Sequence, residues 1–286
     1  MMLTGADERA HTPGASPGWH EAWQLDAASE DGAGLSVRLA LFPALGVAWW
    51  WTHLFLPGVD GVVVVRDHEV GLPRQGLEIR ADGLWGELTC EVPFEHWTYG
   101  LEAFGVRLDD AAASLHGEIG DRMPVGLDIE WEVEVEAEVG APVERANDAG
   151  ARYEQFGRVH GEVLLGRSSY ELDAVGLRSH EWGAPTPDRW SAWLRAPELA
   201  LRVRPERARI ETDRGVDGLP TAVRYVLDDG SELAGEVLRL FAVPLIDEDG
   251  ARSTLCRALC RYDTNDASVS GAARTALGWS SWLDRA

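Results

Sequence analysis

An all-β fold of two antiparallel barrels or sandwiches is what this 286-residue chain predicts, on three observations. Each half carries a series of short apolar or alternating runs separated by Gly, Asp or Pro breaks, the texture of closed or stacked sheets. From Leu127 to Val139 the alternation is nearly perfect. Leu127, Ile129, Trp131, Val133, Val135, Ala137 and Val139 share one face, with Asp128, Glu130, Glu132, Glu134, Glu136 and Glu138 on the other. A helix would scatter these acids around its circumference, whereas a strand puts them in water and the apolar set in a core. Finally, Phe156 to Leu165 and Ser169 to Arg178 flank a Gly166-Arg167-Ser168 turn, which reads as a hairpin.

Taken in order, residues 1–17 are Gly, Pro, Ala and polar residues, which predicts a flexible leader. Strand signals follow at Leu35 to Phe42, Val47 to Leu56 and Val62 to Arg66. The second of these is apolar on both faces. Val47, Trp49, Trp51, His53 and Phe55 can line one side while Trp50 and Leu54 fill the other, so the strand is covered on both sides. Asp109 to His116 is the best short helix candidate. The stretch from Gly140 to Gly150, rich in Gly, Ala, Pro and Asn, reads as a linker, which sets the expected domains at 18–145 and 146–286. Beyond the hairpin, strands are expected at Trp190 to Leu194, Ala200 to Val203, Ala208 to Thr212, Ala222 to Leu227, Leu233 to Val243, Leu255 to Tyr262 and Thr275 to Trp282.

In the hairpin, a period of two puts Tyr170, Leu172, Ala174 and Gly176 on one face and carries Arg178, His180 and Trp182 with them, while Glu171, Asp173, Ser179 and Glu181 point the other way. Here the chain resembles a known family. Tyr153-Glu154-Gln155, Gly157-Arg158-Val159, Gly161 and the run Gly176-Leu177-Arg178-Ser179-His180-Glu181-Trp182-Gly183 are similar to the hydroxyneurosporene synthase (carotenoid 1,2-hydratase) and AttH-like group. The resemblance covers about thirty residues. It implies two lipocalin-like barrels in tandem, and an activity among hydratases, terpene cyclases and pericyclases, as lyases or isomerases of hydrophobic isoprenoids or polyketides.

Composition sets limits. A chain of this size buries about three quarters of its unfolded surface, so a real core is expected. A net charge of -22 without a basic cluster argues against nucleic acid and anionic membrane as partners. All 26 basic residues are Arg. Cys90, Cys256 and Cys260 form neither a disulfide framework nor a zinc spacing and read as reduced thiols. The N-terminal stretch has early acids and no apolar centre, and no apolar run is long enough to span a bilayer, so a cytoplasmic protein is the expectation.

Common enzyme signatures are missing: there is no G-x-S-x-G, Walker A, G-x-G-x-x-G or H-E-x-x-H sequence, and no cofactor is expected. The pairs His20-Glu21, His68-Glu69 and His180-Glu181 place adjacent side chains on opposite strand faces, so no metal motif is read, although ligation from separate strands stays open. What remains is acid-base chemistry among aromatic walls. Thirteen Trp are present, and large rings make good pocket walls and good core alike. Glu154, Arg178 and His180 are the catalytic candidates. A desolvated Glu154 beside Tyr153 could hold a proton at neutral pH, Arg178 could fix a carboxylate, carbonyl or enolate, and His180 could move a proton. The alternative for Glu154 and Arg178 is a structural ion pair clamping the hairpin. Tyr153, Trp182, Trp49, Trp51, His53, Trp97 and Tyr170 are the substrate-wall candidates. The leading reading is thus a cofactor-independent lyase or isomerase acting on a hydrophobic small molecule. Its rivals are a non-catalytic carrier of such a molecule and an assembly partner with a collapsed barrel. The oligomeric state is not readable.

Overall fold

The structure, a computed structural model, describes residues 3–110, 120–139, 150–183, 190–196, 199–203, 208–246, 252–263 and 275–285. After a 3-10 turn at Gly5–Glu8 come eleven strands of a first sheet: β1 (His20–Ala28), β2 (Gly34–Phe42), β3 (Val47–Phe55), β4 (Val62–Gly71), β5 (Leu77–Ala81), β6 (Leu84–Val92), β7 (His96–Leu108), β8 (Asp121–Val133), β9 (Glu138–Val139), β10 (Ala151–Leu165) and β11 (Ser168–Gly183). Seven more strands form a second sheet: β12 (Trp190–Ala196), β13 (Leu199–Val203), β14 (Ala208–Arg214), β15 (Pro220–Leu227), β16 (Glu232–Ile246), β17 (Arg252–Asp263) and β18 (Thr275–Arg285). The chain is all-β and lipocalin-like, as expected.

The first sheet runs β4-β3-β2-β1-β11-β10-β8-β7, and pairing of Val62–Val64 on β4 with Val106–Leu108 on β7 closes it into a barrel. Hairpin β5–β6 extends the wall beyond β7, and β9 pairs with the start of β10. The second sheet is antiparallel in the order β13-β12-β18-β17-β16-β15-β14. The division between sheets therefore falls between Gly183 and Trp190. The linker expected at 140–150 does not separate them: β10 and β11 belong to the first barrel, because β1 pairs along its whole length with Val175–Gly183 of β11, which closes the wall that the earlier strands leave open.

Alternation decides which side chains fill the barrel. Trp23, Leu25, Leu39, Trp50, Leu54, Trp97, Leu101, Leu127, Ile129, Trp131, Val159, Leu172 and Ala174 point inward into one packed core. Gly157 and Gly176 are register partners beside this core. A Cβ on Gly157 would lie 2.4 Å from the Trp131 indole, and one on Gly176 would lie 2.5 Å from Val159, so both glycines make room for large neighbours. The strand expected to run to Val139 without a break is paired to Val133, is interrupted over 134–137 and resumes as β9 at Glu138–Val139. Beyond Val133 the chain bulges, with the Glu134 amide donating to the Phe156 carbonyl, and Val133 and Val135 become exposed. The helix expected over 109–116 lies mostly outside the described residues.

A separate apolar cluster joins the two sheets: Ala28, Phe55, Val62, Val64, Leu108, Phe156 and Leu177 from the outer face of the barrel meet Phe241, Val243, Leu259 and Trp279. The Trp279 indole N–H donates to the Ala27 carbonyl at 2.8 Å across this seam. The outer face of β1–β4, β10 and β11 is thus no solvated wall, which explains why β3 is apolar on both sides.

Candidate functional site

The parity of β10 splits the expected site residues into two groups. Tyr153 and Gln155 point into the barrel, and Glu154 points out. Inside, register partners Tyr153, His180 and Trp23 form one row, and Gln155, Arg178 and Leu25 form the next. The expectation that Arg178, His180 and Trp182 turn inward is met, and all three are buried.

The leader completes this inner cluster. Thr4 donates to Asp7 Oδ2 through its amide at 2.7 Å and its hydroxyl at 2.9 Å, and the turn that results places Glu8 in the barrel end. Glu8 Oε1 accepts from Arg178 at 2.6 Å and from the Tyr153 hydroxyl at 2.6 Å, and Oε2 accepts from the Trp97 indole at 2.6 Å. Arg178 also donates to Gln155 Oε1 at 2.8 Å, and its guanidinium lies 4.7 Å from the Trp131 ring centroid and 5.3 Å from that of Trp97. Burial alone would lower the Arg178 pKa, but the Tyr153 and Glu8 oxygens outweigh it and hold the charge. The ion-pair alternative considered for Arg178 thus matches the geometry, with Glu8 in place of Glu154.

Beside it, Glu21 on β1 collects two histidines. His180 Nε2 lies 2.8 Å and His11 Nδ1 2.7 Å from Glu21 Oε1, and the His11 amide donates to Oε2 at 2.9 Å. His180 Nδ1 donates to the Asp7 carbonyl at 2.9 Å. The His180 ring stacks on Trp23 at 4.4 Å and the His11 ring on Trp182 at 4.1 Å. Burial raises the Glu21 carboxyl, but the hydrogen bonds from both histidines overcome this and hold it below the ordinary range. His180 is lowered, because burial outweighs its carboxylate partner. The ligand atoms of His11, Glu21 and His180 all lie within 4.8 Å of one another, a spacing that could hold a metal ion, as do those of the more exposed Glu130, Glu132 and His160.

The second group lies on the outer face, at the seam. Glu154, Ser179, Gln24, Arg38, Trp51 and Arg66 form one row of register partners across six strands; Phe156, Leu177, Asp26, Ser36, His53 and Val64 form the next. Opposite them, Arg257 and Phe241 are themselves register partners on β17 and β16. Arg257 donates to Asp26, and Phe241 stacks on His53 with ring centroids 3.5 Å apart. From Arg257 a polar chain continues through Asp26 to Gln24 (2.6 Å), Arg38 (3.0 Å), Glu181 (2.7 Å), Arg152 (3.3 Å) and Glu154 (2.7 Å). Glu154 thus belongs to the seam network, paired with Arg152, and does not face Tyr153 or His180.

Both clusters leave some buried polar atoms without a partner among the described residues; inside the barrel these are Arg178 Nε and the Trp23 and Trp131 indole nitrogens. The inner carboxylates have every oxygen engaged. At the seam, His53 is 1 % exposed with no hydrogen-bond partner on either ring nitrogen, and the buried Ser36 hydroxyl and Arg257 Nε are equally unpartnered among the described residues. Burial, then the charges of Arg257 and Arg66, hold the His53 pKa well below its ordinary value, so the ring is neutral. Burial likewise lowers Arg66, to about 10. Trp51 donates its indole N–H to His68 at 2.6 Å, and Trp49 stacks on Trp51 at 6.0 Å, which makes an aromatic wall beside His53. Of the substrate-wall candidates, Trp49, Trp51 and His53 assemble here; Tyr153, Trp97 and Trp182 lie in the inner cluster. Tyr170, ten residues before His180 on an extended strand, sits about 30 Å away from it and packs at the other end of the barrel core. Asp26, Ser36 and Arg257 escaped the sequence reading, because strands β1, β2 and β17 meet only through pairing and packing that no local motif announces.

Comparison with known proteins bears on the fold. Residues 4–196 match a family model described as a domain of unknown function, DUF7064. No curated protein matches the sequence. Among solved structures, a candidate AttH protein from Nitrosomonas europaea is 12% identical with a TM-score of 0.56, covering 97% of this chain and 94% of that one. CghA, crystallised with Sch210972, is 10% identical with a TM-score of 0.52 over 97% of this chain and 94% of its own. Both share the whole two-sheet architecture.

Proposed function

We propose, from the premise that this chain belongs to the DUF7064 family, that it is an acid-base lyase or isomerase of a hydrophobic small molecule, with its site at the seam around His53. The observation that carries this reading is the neutral, buried His53 ring, both of whose nitrogens lack a partner among the described residues. Leaving a polar group buried and unsatisfied costs about 1–3 kcal/mol, and groups kept at that cost mark sites that bind or react. The rest of the seam supplies what such chemistry needs. A neutral imidazole accepts a proton from, or donates one to, a substrate carbon or oxygen. Arg257, held by Asp26, presents its free Nε edge as a fixed positive charge for an oxygen on which negative charge develops. Phe241, Trp51 and Trp49 give apolar walls that orient the substrate and exclude water.

At the level of fold alone, the structure of CghA with Sch210972 is a precedent for ligand binding on this architecture. A hydratase or cyclase acting on an isoprenoid or polyketide, as the sequence resemblance implies, fits an apolar site with one base and one cation. The test is incubation of the purified protein with a small-molecule extract, followed by chromatography and mass spectrometry, in parallel with His53→Phe. An isobaric or one-water-shifted product that forms with the native protein and not with the variant supports the reading. A compound retained unchanged by both proteins makes it a carrier, and conversion by the variant at the native rate removes His53 from the chemistry.

A further inference from the structure

We infer that His11, Glu21 and His180 form a site for a divalent transition metal, zinc above all, which clasps the N-terminal segment to the end of the first barrel. The site is independent of the seam: it lies on the inward face of β1 and β11, and none of its residues takes part in the function proposed above. Its donors come from three separate places in the chain, the leader, β1 and β11, and converge on one point. His11 Nδ1 and His180 Nε2 lie 2.7 and 2.8 Å from the same Glu21 oxygen.

The orientation of His180 makes the case. Its Nδ1 faces the Asp7 carbonyl at 2.9 Å, and a carbonyl only accepts, so Nδ1 is the donor. His180 Nε2 is then the ring atom that faces the Glu21 carboxylate, where His11 Nδ1 converges with it. The three ligand atoms lie within 4.8 Å of one another, near enough to ligate one metal ion. The surroundings are those of a ligating histidine. Metal-bound imidazoles donate their second nitrogen to a backbone carbonyl or a carboxylate, which fixes the ring. His180 does so to Asp7 O, and His11 Nε2 lies 3.5 Å from Asp7 Oδ1. Trp23 and Trp182 stack on the two rings and limit their rotation. Donor type selects the metal. Two imidazoles and one carboxylate suit zinc, with a fourth position left for water, whereas calcium and magnesium require oxygen ligands. Ligand atoms around tetrahedral zinc stand about 3.3 Å apart, so the two short contacts must open by roughly half an ångström. His11, partly exposed, is on the entry side.

The experiment is metal analysis and calorimetric titration of zinc into the chelator-stripped full chain, with cobalt substitution for its visible spectrum. One equivalent of zinc is expected, with a tetrahedral cobalt spectrum showing nitrogen and oxygen ligation. His11→Gln, a change in the partly exposed leader that leaves the barrel core intact, is expected to weaken binding by 100-fold or more. Asp7→Asn, one shell out, is expected to weaken it about 10-fold. His160→Gln, which disables the other candidate cluster, is expected to change nothing. Binding that survives His11→Gln unchanged, binding lost instead in His160→Gln, or no zinc bound at micromolar concentration by the folded native chain would each overturn the proposal; the last would mark the cluster as an imidazolium–carboxylate pair. None of these readouts depends on turnover, so they fail or succeed separately from the seam chemistry.

Discussion

The His53 ring lies flat on Phe241, 13° from parallel with centroids 3.5 Å apart, one of the contacts that join the outer wall of the barrel to the second sheet. Stacking gives His53 an apolar partner on one face while its nitrogens meet none, so the packing that holds the ring also keeps it uncharged. The same surface carries Arg257 against Asp26, one strand pair away in register. Stability and chemistry therefore compete at the seam, and substitution can separate them.

His53→Phe keeps the stack and removes both unpartnered nitrogens. Because those nitrogens are unsatisfied, the variant is expected to lose activity while its midpoint of urea unfolding stays level or rises, by an equivalent of up to about 1 kcal/mol. A fall of more than that amount would mean the nitrogens are bound in the native state.

The depressed pKa of His53 also fixes a pH dependence. In the unfolded chain the ring titrates near 6.5. Above that value it is neutral in both states and contributes nothing to pH dependence. Below it the unfolded state takes up a proton that the folded state refuses, so stability falls with pH by up to about 1.4 kcal/mol per unit until the folded pKa is reached. His68 and His180, also lowered, act in the same direction, and His11, raised, acts against them. The difference between native protein and His53→Phe isolates the single group: thermal unfolding measured from pH 7.5 to 5 should show a steeper acid loss in the native chain. Parallel curves would contradict it.

Glu8 is the acceptor for Arg178, Tyr153 and Trp97 together. Glu8→Ala strands a buried guanidinium and is expected to cost about 3–5 kcal/mol, read as a lowered urea midpoint. Adding Arg178→Met to that variant should recover part of the loss, because the unpaired charge, more than the missing contact, is what destabilises. A double variant no more stable than Glu8→Ala would refute this. Protease sensitivity of residues 3–11 should rise in the single variant, since Glu8 is the segment's anchor.

These residues show where the sequence spoke and where it could not. Strand parity is local, so the inward set Arg178, His180 and Trp182 and the two faces of β3 were legible from alternation alone. The parity of β10 was equally available: Glu154 and Tyr153 are adjacent and cannot face the same side, which excluded the desolvated acid beside Tyr153 that chemistry suggested. The partner of Arg178 was not legible. Glu8 lies 170 residues away in a segment whose composition resembles a loop, and it is ordered by one Thr4–Asp7 turn and a buried charge. The sheet boundary was misplaced for a related reason: a polar, Gly-containing stretch marks a break in the chain but does not say which sheet the next strand joins.

Asp26 and Arg257 give the sharpest test of the seam as a unit. The pair is 231 residues apart in sequence, both groups are buried, and Asp26 also accepts from Gln24 Nε2 at 2.6 Å. Asp26→Ala leaves Arg257 with one unpartnered edge and no carboxylate, which is expected to destabilise the protein by about 3–5 kcal/mol. Asp26→Asn keeps a hydrogen-bond acceptor and should cost less, but it frees the guanidinium from its fixed orientation, so turnover should fall more than stability does. If the two losses instead scale together across Asp26→Ala, Asp26→Asn and Arg257→Met, the pair is a fastener between the sheets and the oxygen-binding role assigned to Arg257 is wrong. If Asp26→Asn unfolds at nearly the native urea concentration while product formation drops by an order of magnitude or more, Arg257 acts on the substrate and Asp26 positions it.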